Sequence, residues 1–296
     1  MSIDLAVTTP AFLDLTFVGL EALPGPGEER FAGDLLRSPG GGAITVVAAA
    51  RLGLSSALVA PLGDDLAGEF VRREVEGEGV LVTGYKPART PQTVVMPVGD
   101  ERTMVTVDPG ARARATDLAD LRPTAVACNV EQLDLVPDGA RAYLTCGDDD
   151  ARAFAGRPPA GLVGIQGLFL GVPDAITLTG TDGAEAAAER LAEAVPTVVL
   201  TLGARGLLSI AGGRRVEVPE FDARPVVDPT GDRDLMCAAY AWADLRGASV
   251  EDALAWAWLY TRLAMTVPTA TGGALTEEQL LEEGAARGLV APSPVS

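Results

Sequence analysis

The sequence predicts an α/β fold, in which a doubly wound, mostly parallel sheet has helices on both faces and carries a small β-sheet lid. Two observations support this prediction. Short apolar runs bounded by Gly, Pro or Asp alternate with Ala-rich helical stretches, as in open parallel sheets. Two segments rich in Val, Thr, Gly and Pro interrupt that alternation. The 296 residues suffice for one large α/β domain or two ordinary ones.

The predicted strands are short and apolar, as strands buried on both faces of a parallel sheet tend to be. They cover residues 3–7, 57–60, 125–128, 141–146, 175–179 and 197–202. The predicted helices are Ala-rich, and two of them place Ala and Leu at three- and four-residue spacing with charged residues opposite. They cover residues 43–52, 68–78, 184–194, 235–246, 253–266 and 276–287.

The two interrupting segments, residues 15–38 and 85–107, are predicted to form the lid from short antiparallel strands, with Gly99 and Asp100 at a hairpin tip. Ligands of such folds bind at the carboxyl edge of the parallel strands, so the lid is expected to close over that edge. The α/β core is assigned to residues 1–14, 39–84 and 108–296.

The charge and the missing residue types exclude several classes of function. With 23 Lys and Arg against 41 Asp and Glu, the formal charge of −18 disfavours nucleic acid or an anionic membrane as a partner. There is no histidine, which excludes Ser-His-Asp triads and HExxH zinc sites. The single lysine, Lys86, does not lie in a Walker A motif. Proton transfer near neutral pH therefore falls mainly to Asp or Glu.

The cysteines and the N-terminus predict a cytoplasmic protein. Cys128, Cys146 and Cys237 are sparse and far apart, which suits reduced thiols better than a disulfide framework. Residues 1–17 carry acids and no basic region, unlike a signal peptide. No apolar run approaches the roughly 20 residues that cross a bilayer. The acidic segment 146–150 is predicted to cap the helix that follows it rather than to bind a metal ion.

Three glycine-containing motifs each have a structural and a functional interpretation. Residues 39–43 (PGGGA) precede a helix and form either a plain turn or a close backbone approach to a ligand. Residues 227–234 (VDPTGDRD) either cap the next helix or place a carboxylate base beside an anion-binding helix start. Residues 201–206 (TLGARG) follow a buried strand and form either a hairpin or a ligand loop.

In this order and at these distances, the three motifs resemble those of the ribokinase/PfkB family of carbohydrate kinases, and the resemblance covers nearly the whole chain. Asp14, which is expected to end the N-terminal strand, is similar to the family's sugar-binding aspartate. Gly40 and Gly41, with residues 50–53, resemble its first signature. The other matching segments are residues 63–68, 99–103, 201–206 and 228–234, the last standing where the family has D-T-x-G-A-G-D.

The resemblance implies an ATP-dependent kinase for a sugar, nucleoside or related small molecule. Asp234 would take the proton of the attacking hydroxyl, while amides of the Gly231, Asp232 and Arg233 segment would form an anion hole. Mg²⁺ would be carried by the nucleotide phosphates, and Asp182 could hold one of its waters. The implied binding residues are Asp14, Gly40, Gly41 and Ile44 for the acceptor, and Thr179, Asp182, Thr201, Gly203, Arg205 and Gly206 for the nucleotide.

Four places depart from the family pattern, and all are functional ones. They are Asp232-Arg233 in place of Ala-Gly, Ile44 in place of an Asn, residues 179–182 in place of N-x-x-E, and Trp258 in place of an Asn. Two interpretations stay open. A kinase with an altered loop is preferred because Asp14 and Asp234 remain, and a pseudokinase that binds a nucleotide or metabolite is the alternative. An NAD-binding oxidoreductase is disfavoured because the glycine fingerprint and a histidine are absent.

The acceptor pocket is expected to be less polar than in the family, since Ile44 and Phe12 stand where polar residues often lie. Fewer hydrogen-bonding groups leave the hydroxyls of a sugar unpaired, so a nucleoside or a modified sugar is predicted in preference to ribose or fructose. A homodimer through apolar lid residues 94–98 and a monovalent cation near Asp228 are left open.

Overall fold

The computed structural model describes residues 1–98, 101–221 and 224–293, apart from the side chains of Glu101 and Ala204. Within these residues thirteen strands form two sheets. The strands are β1 (Ser2–Val7), β2 (Ala11–Val18), β3 (Asp34–Gly41), β4 (Ser56–Val59), β5 (Leu81–Thr83), β6 (Gln92–Val98), β7 (Glu101–Val107), β8 (Arg122–Cys128), β9 (Arg141–Cys146), β10 (Gly167–Gly171), β11 (Thr197–Thr201), β12 (Leu207–Ala211) and β13 (Arg214–Val218).

Helices of the described residues flank and connect these strands. They are α1 (Gly42–Arg51), α2 (Leu66–Gly77), α3 (Asp148–Ala153), α4 (Val172–Thr179), α5 (Ala184–Ala192), α6 (Asp232–Leu245), α7 (Val250–Ala264), α8 (Ala270–Gly273) and α9 (Glu277–Ala285). Most begin where the sequence provides a helix start signal. Asp65, for example, accepts a hydrogen bond from the Gly68 amide at the start of α2.

The first sheet has nine strands in the order β13-β12-β11-β10-β9-β8-β1-β4-β5. Neighbours are parallel from β11 to β5, and β12 and β13 form an antiparallel edge. Leu5 and Val7 join a core with α1, α2, α6, α7 and α9, whereas Ala6, which alternates with them along β1, joins a second core with α3, α4 and α5. Ile3 also belongs to the second core. The predicted doubly wound sheet, covered on both faces, is confirmed.

The second sheet has four strands in the order β3-β2-β6-β7 and is the small sheet expected as a lid. Pairs β2–β3 and β6–β7 are antiparallel, as predicted, but β2 and β6 are parallel. The sheet starts at Ala11 and includes Gly41, so the proposed divisions at residues 14/15 and 38/39 fall inside strands. The predicted tip at Gly99 and Asp100 lies outside the described residues.

Two local predictions are wrong. Residues 175–179 are not a strand but the second half of α4, and the strand at this place is β10, which the sequence prediction missed. Pro173 in the first helical turn and a left-handed Gly180 after the last turn define α4, although Ile and Thr favour a strand locally. The acids of segment 146–150 do not cap α3: Gly147 is the N-cap, without a side-chain bond, and the acids fill the first turn.

Two expectations about the whole chain can be compared with the structure. The three cysteines are buried free thiols. In the part of the chain that the structure describes, no helix is long and apolar enough to span a membrane. The same residues contain no group of three or more His, Cys, Asp or Glu side chains that could hold a metal ion.

Candidate active site

The predicted catalytic loop and the first glycine motif lie against each other. Gly231 is the N-cap of α6 and has a positive φ of 76°. A Cβ added there would lie 2.7 Å from Ile44 Cδ1 and 2.9 Å from Ala270 Cβ, so no larger residue fits without displacing these side chains. Ile44 lies in the first turn of α1, and α1 packs directly on α6. The starts of two helices therefore form the floor of one site.

Asp234 and Asp14 are two carboxylates of this site that interact electrostatically. Asp234, in the first turn of α6, is partly buried and accepts a hydrogen bond of 3.2 Å from the Thr45 hydroxyl of α1. Asp14, in the middle of β2, is only 6% exposed. Its carboxylate lies against the backbone of Gly40 in β3, where an added Cβ would be 2.1 Å from Asp14 Oδ2. Glycine at position 40 is thus what leaves room for this carboxylate.

Burial raises the pKa of both carboxylates. Burial raises the pKa of Asp14 to about 7, helped by the negative charges of Asp234 and Asp228. Burial also raises the pKa of Asp234 to about 6, opposed by the positive charge of Arg233 and the Thr45 hydrogen bond. Two carboxyls that titrate close to neutral pH can accept or share a proton, which is the property required of a general base.

The first turn of α6 provides main-chain donors toward the same space. The first hydrogen bond of the helix runs from the Leu235 amide to the Gly231 carbonyl, at 2.9 Å. Among the described residues, the amides of Asp232, Arg233 and Asp234 make no hydrogen bond. Arg233 has helical backbone, so the Asp-Arg pair that replaces Ala-Gly leaves the main chain in the conformation that an anion hole needs.

The Arg233 side chain extends along the carboxyl edge of the sheet. Its Nη1 donates to the Cys146 carbonyl at 2.9 Å and to Asp174 Oδ2 at 2.5 Å, and its Nε lies 3.6 Å from Asp232 Oδ1. Asp174 is in the first turn of α4, directly after β10. The sequence prediction missed Asp174, although an acid after Pro173 at a helix start was an available signal.

Thr179 and Asp182 are not brought to this site. Thr179 is the last residue of α4, where its hydroxyl donates to the Ala175 carbonyl at 2.7 Å, and Asp182 follows in the loop before α5. Thr179 lies five residues after Asp174, about 7.5 Å further along the axis of α4, so this length of helix separates it from the place where Asp174 meets Arg233. Both were expected at the nucleotide because residues 179–182 were taken to stand where the family has N-x-x-E.

The predicted nucleotide loop follows β11 at the same edge. Thr201 ends β11, and a Cβ added to the neighbouring Gly171 of β10 would be 3.9 Å from its hydroxyl. Gly203 and Gly206 both have positive φ, at 59° and 95°. At Gly206 an added Cβ would lie 2.0 Å from the Val218 carbonyl, which only glycine avoids. Arg205 is exposed beside them.

A residue of the second sheet also reaches this site. Arg102 of β7 donates from Nη1 to the Pro229 carbonyl at 3.0 Å, two residues before Gly231. The positive charge of Arg102 lowers the pKa of Asp14, Asp174 and Asp234, so it acts on all three carboxylates. Neither Arg102 nor Thr45 was given a role by sequence reasoning, because their proximity to Asp234 arises only from the tertiary fold.

The remaining predicted positions hold the loop and the core. Asp228 is 2% exposed, and its two oxygens accept hydrogen bonds from the Thr230 amide at 2.9 Å and the Thr269 amide at 3.0 Å. It therefore joins the catalytic loop to the start of α8. Trp258 is buried in α7, and its indole nitrogen has no hydrogen-bond partner in the described part of the chain.

The raised pKa of Asp14 predicts a pH-dependent effect of its removal. Between about pH 4 and pH 7 native Asp14 is protonated while the unfolded chain has lost that proton, so its contribution to stability falls as the pH rises through this window. Because the pKa of Asp14 rises from 3.8 to about 7 on folding, the free energy of unfolding at pH 8 is lower by about 4 kcal/mol. We expect Asp14→Asn to raise the free energy of unfolding at pH 8 and to have much less effect at pH 4.5.

Urea unfolding at both pH values measures this difference. Asp138→Asn, which removes an exposed carboxylate, is the matched control and should show no such pH dependence. An Asp14→Asn protein that is equally or less stable at pH 8 would contradict the prediction.

Comparison with known proteins identifies the family and the fold of this chain. The family described as pfkB family carbohydrate kinase matches residues 26–142 and 142–277. Ribokinase of Bacillus subtilis (strain 168) is 27% identical over 302 aligned positions, covering 95% of this chain and 96% of the relative. Arabidopsis thaliana ribokinase complexed with ribose and ATP shares the fold with a TM-score of 0.76, at 23% identity, over 96% of this chain and 99% of the other.

A nucleoside kinase of Methanocaldococcus jannaschii, an archaeal member of the ribokinase family, has a TM-score of 0.75 at 16% identity, over 96% of this chain and 98% of its own. At such identities the structural likenesses show the fold alone. The family match covers most of the sequence in two consecutive segments and includes the glycine motifs and the loop before α6. The chain belongs to the pfkB family of carbohydrate kinases.

Proposed function

We propose that this protein transfers the γ-phosphoryl group of ATP to a hydroxyl of a sugar, nucleoside or related small molecule. The observation that carries the proposal is the position of Asp234 in the first turn of α6, beside three unpaired main-chain amides and facing Asp14. A base and an anion-binding helix start in one place suit phosphoryl transfer to an alcohol. The Arabidopsis relative is complexed with ribose and ATP, which supports the same two kinds of substrate, a nucleoside triphosphate and an acceptor that carries hydroxyls.

Asp234 accepts the proton of the acceptor hydroxyl as its oxygen attacks phosphorus. The new O–P bond forms while the bond between the γ-phosphorus and the bridging oxygen breaks, and ADP leaves. Amides of residues 232–234 stabilise the charge on the transferred group. The Thr45 hydroxyl keeps one oxygen of Asp234 in place, and Asp14 with the Gly40 backbone binds the acceptor. The second sheet excludes water from the reacting groups.

The residues present suit a magnesium ion that is carried by the nucleotide. Within 1–98, 101–221 and 224–293 no side-chain cluster could hold a metal on its own, and Mg²⁺ commonly keeps several waters when phosphates bind it. The ion supplies charge neutralisation on the phosphates. Asp174, rather than Asp182, is the carboxylate that we assign to its water ligands, because Asp174 lies beside Arg233 at the start of α4.

A pseudokinase is the second candidate, and Asp232 is the observation that favours it. A carboxylate 4 Å from a phosphate would repel it by about 4 kcal/mol at an effective dielectric of 20. Arg233 opposes that repulsion, since its guanidinium contacts both Asp232 and Asp174. The loop thus adds one negative and one positive charge together, and the buried carboxylates Asp14 and Asp234 are retained. These features support the active kinase.

We propose an acceptor less polar than ribose or fructose. Ile44 is 2% exposed and packs on Gly231, and the Phe12 ring lies against Gly41, 2.5 Å from where a Cβ would stand. Apolar groups thus occupy two sides of the acceptor floor. A nucleoside or a modified sugar offers fewer hydroxyls that would be left without partners there.

We also propose a homodimer through the edge of the second sheet. β7 is the last strand of this sheet and exposes Met104, Val105 and Val107, which are 47%, 60% and 63% accessible. An exposed apolar edge strand of this kind tends to pair with a strand of another chain. Val95, in contrast, is fully buried within the sheet.

The three buried free thiols suit a cytoplasmic location.

Removing the base tests the proposed function. We expect Asp234→Asn to lower kcat by about 10²–10⁴-fold with the Kd of ATP nearly unchanged, because the amide cannot accept the proton. Wild-type activity should fall as the pH drops through about 6, where Asp234 becomes protonated. Coupled ADP release over a panel of acceptors measures turnover, with Asp138→Asn as control. Binding of ATP without turnover of any acceptor would establish the pseudokinase instead.

Calorimetric titration tests the acceptor class. Adenosine and inosine are expected to bind at least about tenfold more tightly than ribose and fructose, a difference of about 1.4 kcal/mol. Ile44→Asn should reduce the difference in affinity between nucleosides and sugars, because it places a polar group where the acceptor binds. Tight binding of ribose or fructose alone would overturn the proposed class.

Sedimentation equilibrium tests the dimer. The wild-type chain should sediment with the mass of two copies, and Val105→Lys should shift it to a monomer because a charge at an exposed edge strand opposes pairing. A monomeric wild type at micromolar concentration would rule the dimer out.

A further inference from the structure

Arg233 places a guanidinium where the family pattern has a glycine. Its Nη1 donates to the Cys146 carbonyl at 2.9 Å and to Asp174 Oδ2 at 2.5 Å, and Asp232 Oδ1 lies 3.6 Å from its Nε. These acceptors belong to β9, to α4 and to the first turn of α6 itself. Because three elements hold the guanidinium, binding a ligand would cost it little conformational entropy.

The predicted nucleotide loop lies directly beside this ion pair. Thr201, the first residue of that loop, pairs with Gly171 where β11 and β10 end. A Cβ added to Gly171 would be 3.4 Å from Asp174 Oδ2 and 3.9 Å from the Thr201 hydroxyl. The carboxylate that holds Arg233 and the start of the nucleotide loop therefore flank one glycine at the carboxyl edge of the sheet, where ligands of such folds bind.

Arg233 also lies close to the base and to the unpaired amides. Its positive charge lowers the pKa of Asp234, and its own amide is one of the three unpaired amides in the first turn of α6. This helix packs on β9 and β10, next to β11 in the sheet. Phosphates that extend from the loop after β11 to these amides must therefore pass beside the Arg233 guanidinium.

The guanidinium keeps donors for such a phosphate. Among the residues that the structure describes, its hydrogen bonds to Cys146 and Asp174 both come from Nη1, and Nη2 makes none. The side chain is 21% exposed, and Nη2 is not a buried atom without a partner. A phosphate oxygen can therefore accept from Nη2 while the bonds that position Arg233 remain in place.

The same ion pair changes what Asp174 offers to a magnesium ion. Arg233 occupies Oδ2 of this carboxylate, so only Oδ1 is left for a metal-bound water. A fixed positive charge beside Asp174 weakens its attraction for a hydrated Mg²⁺, and it adds a positive charge next to the phosphates. Arg233 thus affects both partners of the metal, the carboxylate and the nucleotide.

We propose that Arg233 binds the nucleotide phosphates and takes over part of the charge neutralisation that magnesium provides. This inference rests on the proposed function and adds a determinant of its metal dependence. Nucleotide affinity then depends less on Mg²⁺ in this chain than it would with a neutral residue at position 233. Because the guanidinium is part of the chain, this share of the neutralisation persists when free magnesium is scarce.

Calorimetric titration of AMP-PNP, a non-hydrolysable analogue of ATP, tests the proposal with magnesium and with EDTA. The ratio of the Kd in EDTA to the Kd in magnesium should be at least about tenfold larger in Arg233→Gln than in the wild type, because the metal-free analogue loses a charged donor. Arg233→Lys should give an intermediate ratio, since it keeps the charge without the planar fork. Arg190→Gln removes an exposed arginine from α5 and is the matched control, with the wild-type ratio expected.

Two further variants separate phosphate binding from a purely structural role. Arg233→Gln combined with Asp174→Asn removes both charges, so no buried charge is left unpaired to disturb folding. This double variant should still bind the analogue in EDTA at least about tenfold more weakly than the wild type. Asp174→Asn alone keeps the guanidinium and should not weaken binding in EDTA.

Equal Kd ratios in the wild type and Arg233→Gln would overturn the proposal. Equal losses in EDTA for Arg233→Gln and Asp174→Asn would overturn it as well, because they would show that the ion pair only holds the loop in shape. The proposed function is judged separately, by turnover. If no acceptor is phosphorylated while the ratios differ as expected, phosphoryl transfer fails and the Arg233 site stands; if turnover occurs with equal ratios, the function stands and the Arg233 site is wrong.

Discussion

The site depends on holding two carboxylates, Asp14 and Asp234, in one poorly hydrated space. Burial raises the pKa of both toward neutrality, and repulsion from neighbouring carboxylates adds to it: from Asp234 and Asp228 at Asp14, and from Asp232 at Asp234. The surroundings are arranged to limit that repulsion without removing it. Thr45 donates to Asp234, the α6 helix start presents its positive end, and two arginines contribute charge from either side. Complete neutralisation by a close ion pair would lower the pKa of Asp234 and weaken it as a base.

The unusual loop sequence makes physical sense as a set of coupled charges. Asp232 and Arg233 replace small residues, yet the backbone remains the first turn of a helix, so its amides are unaffected by the change. The arginine then extends to Asp174, which belongs to a different helix. A substitution at any one of these three positions would leave a buried charge without compensation, so they are expected to act as one unit.

Much of this arrangement follows from the sequence, and the exceptions have physical causes. Alternating apolar runs predicted the sheet correctly, and glycines before helices drew attention to the loop around Gly231 and to Asp234, because these signals are local. The sequence analysis predicted a strand within α4 and missed β10, because the β-branched residues of this stretch favour a strand locally. Pro173 at the start and Gly180 after the end hold the stretch as a helix. The comparison of residues 179–182 with the family's N-x-x-E motif placed the expected metal-side residues at Thr179 and Asp182, whereas the carboxylate beside Arg233 is Asp174. Thr45 and Arg102 are separated from Asp234 by more than a hundred residues, and only the packing of α1 and the lid brings them to it.

The junction between the second sheet and the core determines how much each part of the site can move. β3 ends at Gly41 and α1 begins at Gly42, so any tilt of the small sheet pivots beside Gly40 and Asp14. Arg102 pairs with Pro97, five residues beyond Gln92 at the base of β6, which is about 16 Å of strand. A tilt of roughly ten degrees would move Arg102 by about 3 Å while Asp14, near the fulcrum, would hardly shift. The end of the small sheet near the core therefore keeps Asp14 in place, while its far end carries the Arg102 guanidinium through the larger movement.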